Sequence, residues 1–380
     1  MARLKKHFSI LYYYTQHNQS ERHNSRLSGG SMEQTKVTQK MIAELAGVSR
    51  SMVSLVVNNS QKPIHRETRE RILAIVERYG YKVNPLALQL RSGKSRFVNI
   101  VVSKDSGYQV QRMIEHLEER LSRNGYLVLL SRINPHAEDA PSVLRAFMGF
   151  DFAGTIVLDH LFCGYEQNAP VTLARQINRY RNVIFLNRLP VRMKHNFVPI
   201  DYGRGVREAV RHLHAAGRKR IFLAVNDLDN GPARGRLEGF KEGLADVGVK
   251  FQRDSCWNAD EFGLSYATEE YRIPRSARIY EELVVNRKAD AIIAHNDFWA
   301  APLIKYLKKQ QVRIPDDVAV VGYENIRPLC FACDPELSSI SLNIELLADE
   351  LVRLLLAGLR DGELPEQPPV RTRFIPRESA

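Results

Sequence analysis

From Phe97 onward, short apolar runs alternate with helix-period segments for more than 250 residues of the 380-residue chain, and this rhythm constrains the fold most. "FVNIVVS" (97–103), "YLVLLS" (126–131), "VIFLN" (183–187), "RIFLAV" (220–225), "AIIAH" (291–295) and "VAVVGYE" (318–324) read as strands. "SVLRAFMGF" and "GTIVLD" continue the alternation. Between the strands, "QRMIEHLEERLSRNG", "GVREAVRHLHAAG" and "RLEGFKEGLADVG" carry apolar residues at helical spacing. Strands that alternate with helices predict parallel sheets covered by helices on both faces, because the helix returns the chain to the start of the next parallel strand. The stretch is long for one sheet. Two α/β lobes are therefore expected, with a ligand crevice at the carboxyl ends of the strands.

Upstream of Phe97 the chain changes character. The first 95 residues hold 16 Lys/Arg against 6 Asp/Glu, whereas the remainder is nearly balanced at 39 against 37. A basic end on a near-neutral body points to a polyanionic partner at that end; a basic tail kept for solubility is the alternative on composition alone. Within this end, Thr38 is placed to cap a helix bearing Met41, Ile42, Leu45 and Ala46 on one side. Gly47 suits a break with positive φ, and Ser49 can cap a second helix whose apolar positions are Val53, Val56 and Val57. Two short helices this close match helix-turn-helix geometry. A third helix is expected from about Glu67 to Tyr79, with Gly80 at its C-terminal cap. "NPLALQLRSGKS" (84–95) reads as a linker with helix potential around 85–91.

The N-terminal "MARLKKHFSILYYY" is loosely like a signal peptide, but its apolar run is only about seven residues, is rich in Tyr and lacks a small-x-small cleavage site. The polar stretch behind it reads as disorder. Residues 1 to about 35 are expected to form a tail without fold, with Met32 as a candidate start because organised sequence begins just after it. Four cysteines, Cys163, Cys256, Cys330 and Cys333, are too few for a disulfide framework and fit a reducing compartment. Cys330 and Cys333 form a CxxC with no second Cys or His pair nearby to complete a zinc site, so no metal or other cofactor is expected. No run approaches the ~18–20 apolar residues of a membrane span, so no membrane partner is expected.

"VTQKMIAELAGVSRSMVSLVVNN" and the following "ETRERILAIVERYGYKVNPLALQLRSGKS" resemble the DNA-binding headpiece of the lactose-repressor (LacI/GalR) family. The residues in register are Ala43, the run 46–49, Val53, Ser54, 56–58, Thr68, Arg69, Tyr81 and Asn84. The resemblance continues through "IDYGRGVREAVRHLHAAGRKRI", "RLEGF", "AHNDFWA", "RIPDDVAVVGYEN" and "PELSSISLNIELLADELVRLLL", leaving outside it only residues 1 to about 35. It implies a small all-α helix-turn-helix headpiece (36–83), a hinge helix or linker (84–96) and an α/β, two-lobed, periplasmic-binding-protein-like core (97–380).

The resemblance also assigns roles. Arg50, Ser51 and Leu55 hold the base-reading positions; Arg50 can contact guanine bidentately, or a phosphate instead. Thr38, Ser54, Asn58, Thr68 and Arg69 fit backbone positioning, with capping an added role for Thr38 and ordinary solvation the alternative for Arg69; Ser49 is a further DNA-binding candidate. His65 stands where a serine usually caps the third helix, and caps less well. Leu90, with Ala87 on the same face, holds the position that wedges into the minor groove; a linker-core contact is the alternative. In the core, Asn187, Arg234 and Asp297 are candidate effector contacts, although Asp297 can also cap the helix that follows it. Tyr108, Phe162 and Trp257 are candidate rings for a sugar face, or core residues. Glu324 and Asn325 after "VGY", and a short first core loop near Asp105, depart from the family and leave the ligand's identity open.

The function so implied is a sequence-specific transcriptional regulator, a repressor by expectation, acting as a homodimer on a near-palindromic double-stranded DNA operator. Its effector is expected to be a sugar or related metabolite, and its setting the bacterial cytoplasm, associated with the nucleoid. A periplasmic sugar receptor would need a clean signal peptide and no basic headpiece. An α/β enzyme is not expected either: no GxGxxG follows a strand, and neither a Walker loop nor a GxSxG elbow appears. A third alternative is a DNA-binding member whose core only dimerises.

Overall fold

The computed structural model describes residues 37–57, 62–81, 95–104, 106–134, 142, 145–146, 149–158, 175, 177–180, 182–188, 196–228, 231–263, 272–362 and 364–380. The chain divides into two compact units, Met1–Leu88 and Gln89–Ala380.

The first unit is helical. α1 (Gln39–Ala46) starts at Thr38, whose hydroxyl accepts from the Met41 amide at 3.3 Å. It stops at Gly47, which adopts φ +63° and donates its amide back into the last turn. That left-handed conformation is strained for residues with a Cβ, so glycine lets the chain reverse within three residues. α2 (Arg50–Val57) follows, with Ser49 Oγ accepting from the Met52 amide at 3.2 Å. α3 (Arg66–Arg78) begins at His65, which makes no side-chain cap. The three helices meet over Ile42, Ala43, Ala46, Val53, Val56 and Ile72, all buried. A core this small supports a short domain with little to spare.

The second unit opens with β1 (Phe97–Ser103), α4 (Tyr108–Arg123), β2 (Leu127–Ile133), β3 (Gly154–Val157), β4 (Val183–Leu186) and β5 (Phe197–Val198). These strands form a parallel sheet in the order β2-β1-β3-β4-β5, the framework of lobe one. β6 (Ile200–Asp201) then carries the chain into lobe two. Lobe two comprises α5 (Arg204–Ala215), β7 (Ile221–Val225), α6 (Gly231–Asp246), β8 (Cys256–Asn258), α7 (Arg272–Ile279), β9 (Ala291–Ala294), α8 (Asp297–Lys309), β10 (Ala319–Glu324), α9 (Arg327–Ala332) and β11 (Ser338–Ser341). After α7 the chain continues as a π-helical segment, Tyr280–Asn286. α10 (Ile344–Asp361) returns to pack Leu347, Leu351 and Leu355 into the lobe-one core with Ile100 and Leu117. β12 (Val370–Arg371) pairs with β6, and β13 (Arg373–Ile375) joins the lobe-two sheet. The chain therefore passes between the lobes three times.

The lobe-two sheet runs β13-β11-β10-β9-β7-β8, parallel except for β13 at one edge. Helices cover both faces: Ile292 and Val320 enter one apolar cluster, whereas Ile293 and Val321 enter the other. Burial on both sides explains why these strands read as unbroken apolar runs rather than alternating ones. α5 and α6 approach closely enough that a Cβ on Gly239 would sit 2.4 Å from the Gly203 Cα. The sequence rhythm missed β8, β11 and the C-terminal strands. They are short, and β11 buries the hydroxyls of Ser338 and Ser339 rather than an apolar run. Among the described residues no helix is long and apolar enough to cross a membrane, and no group of His, Cys, Asp or Glu is arranged to hold a metal ion.

Candidate functional site

The helical unit offers an exposed surface at the start of α2. Arg50 and Ser51 are exposed there, and Ser54 and Leu55 half-buried. Side chains at a helix N-terminus can enter a major groove while the opposite face is held by the core. Ser49 and Ser51 share a hydrogen bond of 2.8 Å. That bond uses one of their two hydroxyl protons and leaves the other available to an outside acceptor. Thr68 and Arg69 lie half-buried in the first turn of α3. Asn58, Ala87 and Leu90 lie outside the described residues, as does most of the linker.

The α/β unit encloses a cavity of about 430 Å³ between its lobes. Lobe one supplies the first turns of α4 through Tyr108, Gln109, Val110 and Met113, with Leu158 and Leu186 at the ends of β3 and β4. Lobe two supplies Pro232 and Arg236 from α6, Arg275 from α7, Asn296, Phe298 and Trp299 at the start of α8, and Glu324 at the end of β10. The walls are thus strand carboxyl ends and helix starts, the usual place for a ligand in a doubly wound sheet. The Gln109 side-chain amide donates to the Glu324 carbonyl, bonding one lobe to the other beside the cavity.

The candidate effector residues fall in different places. Tyr108 lines the cavity. Asn187, at φ +73°, accepts from the Ile200 amide and donates to the Tyr202 hydroxyl, so it positions a cavity residue and does not itself line the wall. Arg234 is exposed, whereas Arg236 is 6% exposed and lines the cavity, which moves the expected arginine from the first position to the second. The reason is rotational: two residues along a helix turn a side chain by about 200°, so only one of this pair can face inward.

Asp297 is likewise corrected, from a ligand contact to an internal cross-link. It is fully buried and accepts from the Ile326 amide (2.6 Å), the Ser339 hydroxyl (2.6 Å) and the Cys330 thiol (3.5 Å). Burial pushes its carboxyl up to about 7, against the lowering effect of those hydrogen bonds. The cap of α8 is Asn296, whose side chain accepts from the Trp299 amide. Trp257 stands one layer behind the wall, stacked on Phe262 and edge-on to Trp299. Phe162 and Asp105 lie outside the described residues.

Arg275, Gln109 and Trp299 are wall residues that the sequence did not single out. Nothing in the sequence distinguished Arg275 from Arg272 and Arg278 on the same helix. The Arg275 guanidinium lies 4.1 Å from the Trp299 ring centroid, and burial lowers it to about 10.

Both units match known families. Bacterial regulatory proteins of the lacI family match residues 38–84, and the periplasmic binding protein-like domain matches residues 210–380. The chain is 27% identical over 354 residues to the HTH-type transcriptional regulator CelR of Thermobifida fusca, covering 90% of this chain and 98% of the relative. It is 23% identical over 342 residues to the HTH-type transcriptional regulator AscG of Escherichia coli (strain K12), covering 89% and 96%. The lac repressor bound to ONPG in its repressed state has the same fold, with a TM-score of 0.74 at 20% identity over 91% of this chain and 100% of that one. The CelR–cellobiose complex gives 0.63 at 22% identity, over 90% and 100%.

A helix-turn-helix unit joined to a two-lobed, periplasmic-binding-protein-like core defines a class of DNA-binding transcription regulators. This chain belongs to that class as a member of the lacI family.

Proposed function

We propose that this regulator is a repressor whose affinity for a near-palindromic operator is set by a small molecule, a sugar or related metabolite, bound between the lobes of its core. The cavity carries the reading: both lobes build it, and it combines apolar walls, aromatic rings and a few polar groups, as ligand sites do. One relative, CelR, has a structure in complex with cellobiose. A ligand that touches both lobes binds one inter-lobe angle better than another and shifts the population toward it. Operator affinity then changes only by that differential affinity.

On the DNA side, Arg50, Ser51 and Leu55 read bases, while Thr38, Ser49, Ser54, Asn58, Thr68 and Arg69 contact the phosphate backbone. Leu90, flanked by Ala87, wedges into the minor groove. One headpiece reads one half-site, so the working form is a homodimer, acting on DNA in the cytoplasm and performing no catalysis. Selection of bound DNA from a random library tests this reading. An inverted repeat should emerge, and binding should weaken steeply with salt as phosphate contacts release counterions. Selected sequences with no repeated half-site would overturn it. The rival, a core that only dimerises, predicts that no small molecule raises the melting temperature or changes operator affinity.

A further inference from the structure

Two residues that line the cavity from opposite lobes are joined directly, the Gln109 side-chain amide donating to the Glu324 carbonyl. Each end of this bond is fixed within its own lobe. Gln109 lies in the first turn of α4 and is 8% exposed, and Val110, Met113 and Leu117 of the same helix sit in the lobe-one core. Glu324 ends β10 at φ +91°, and Asn325 follows at +53°. Asparagine tolerates the left-handed region, but other side chains adopt it rarely, and such backbone persists only where its surroundings over-determine it.

The surroundings do so here. The Asn325 amide donates to the Ser339 hydroxyl at 3.0 Å, and the Ile326 amide donates to the Asp297 carboxylate at 2.6 Å. Both acceptors belong to fully buried residues. Arg377 donates to the Asn325 side-chain oxygen at 2.7 Å. The turn after β10 is thus clamped in a conformation that offers one backbone carbonyl to lobe one. Glu324 and Asn325 are also positions at which the chain departs from its family's pattern. The bond borders two spaces, the cavity and a groove of about 730 Å³ that shares Gln109 and Glu324 with it. Water entering the groove can replace either partner when the bond opens. Its net effect is therefore that of an ordinary exchanged hydrogen bond, roughly two- to tenfold in an equilibrium.

We propose that Gln109 and the Glu324 carbonyl form a latch that holds the lobes at this angle with no ligand atom taking part. A hydrogen bond is lost within about 1 Å of stretching, so the latch is made at one inter-lobe angle and broken at another. Gln109 is then a positioning residue: it biases the equilibrium between lobe angles that a ligand goes on to shift. The latch itself does not depend on the effector reading; its effect on DNA does.

The test reads lobe opening in the full-length chain at pH 8. Trp257 and Trp299 are the only tryptophans in the sequence. Trp299 lines the cavity at 4% exposure, and Trp257 lies behind it at 2%. Acrylamide quenching of their fluorescence is slight while the lobes are latched and rises when they part. Gln109→Leu should raise the quenching constant by roughly twofold or more. Gln109→Glu keeps the shape of the side chain and replaces its donor by a second acceptor, so it should raise quenching at least as much. That variant separates loss of the bond from loss of packing, and it carries the test if the leucine variant does not fold. Wild-type quenching in both variants would overturn the latch. A rise in the leucine variant alone would overturn it too, by assigning Gln109 to packing. Binding of the same variants to the inverted repeat selected from the random library, with no small molecule added, tests the effector reading separately. Raised quenching with unchanged DNA affinity would support the latch and break the coupling between lobe angle and DNA.

Discussion

In the helix-turn-helix unit, the described residues assigned to DNA stand outside a core of six buried side chains. In the α/β unit, the residues that face the ligand cavity include two that are themselves almost wholly buried, Arg236 and Arg275. The first unit can therefore change what it reads by exchanging surface residues at little cost to its fold. The second holds charged groups inside its packing, so recognition and stability are coupled there. Substitutions should separate the two units on this axis.

The largest contrast concerns core size. Ile42→Ala and Leu117→Ala each remove a fully buried side chain and should each cost about 3 kcal/mol. In the small headpiece that loss is comparable to the whole stability of a short domain, so Ile42→Ala should abolish operator binding while the α/β unit melts unchanged. Leu117→Ala should lower the α/β melting temperature by roughly 5–10 °C and leave both units folded. A headpiece that tolerates Ile42→Ala would break the comparison.

The next effect is a pH dependence confined to the α/β unit. Folded Asp297 titrates at about 7 against an ordinary 3.8, because of burial. The folded state thus holds a proton that the unfolded chain releases. The stability it confers is complete at low pH and is lost as pH rises from about 4 to about 7. His295 works the other way. Burial and the two arginines hold its folded value well below 6.5, so the stability tied to it is lost as pH falls below 6.5. Asp297→Asn should remove the first slope and expose the second. Stability should then rise more steeply between pH 5 and 7 than in the wild type, by on the order of 2 kcal/mol across the window. Parallel pH profiles would show that Asp297 does not titrate there.

Arg50→Ala should reduce the discrimination between operator and random DNA by about 1–3 kcal/mol, without changing effector affinity. An equal loss on both DNAs would reassign Arg50 from bases to phosphates. The smallest effect belongs to Ser49→Ala, which removes the cap on α2 and should destabilise the headpiece by about 1 kcal/mol.

How much the sequence disclosed also divides along this line. Thr38, Gly47 and Ser49 were legible because a cap, a left-handed turn and a second cap are local requirements, each met by one residue within a twelve-residue span. The β/α rhythm was equally legible, since doubly buried strands leave unbroken apolar runs. The cavity was not. Its wall draws on Gln109, Arg236, Arg275 and Glu324, which only the folded sheet brings together. Spacing along the chain does not reveal which of Arg234 and Arg236 turns inward. Asp297 shows the opposite difficulty, because a carboxylate in a ligand-like sequence context is committed to Ser339 and Ile326 behind the wall.

The three passages of the chain between the lobes, at β6, ahead of α10 and at β12, bear on how such a protein can be rebuilt. Neither lobe is a continuous stretch of sequence, because α10 belongs to the first lobe and follows most of the second. A single genetic crossover could exchange the headpiece as a cassette. No single crossover could exchange one lobe and leave the other whole. A crossover behind the headpiece therefore pairs a DNA address with an entire core, and a cavity with one wall exchanged cannot be reached in a single such step.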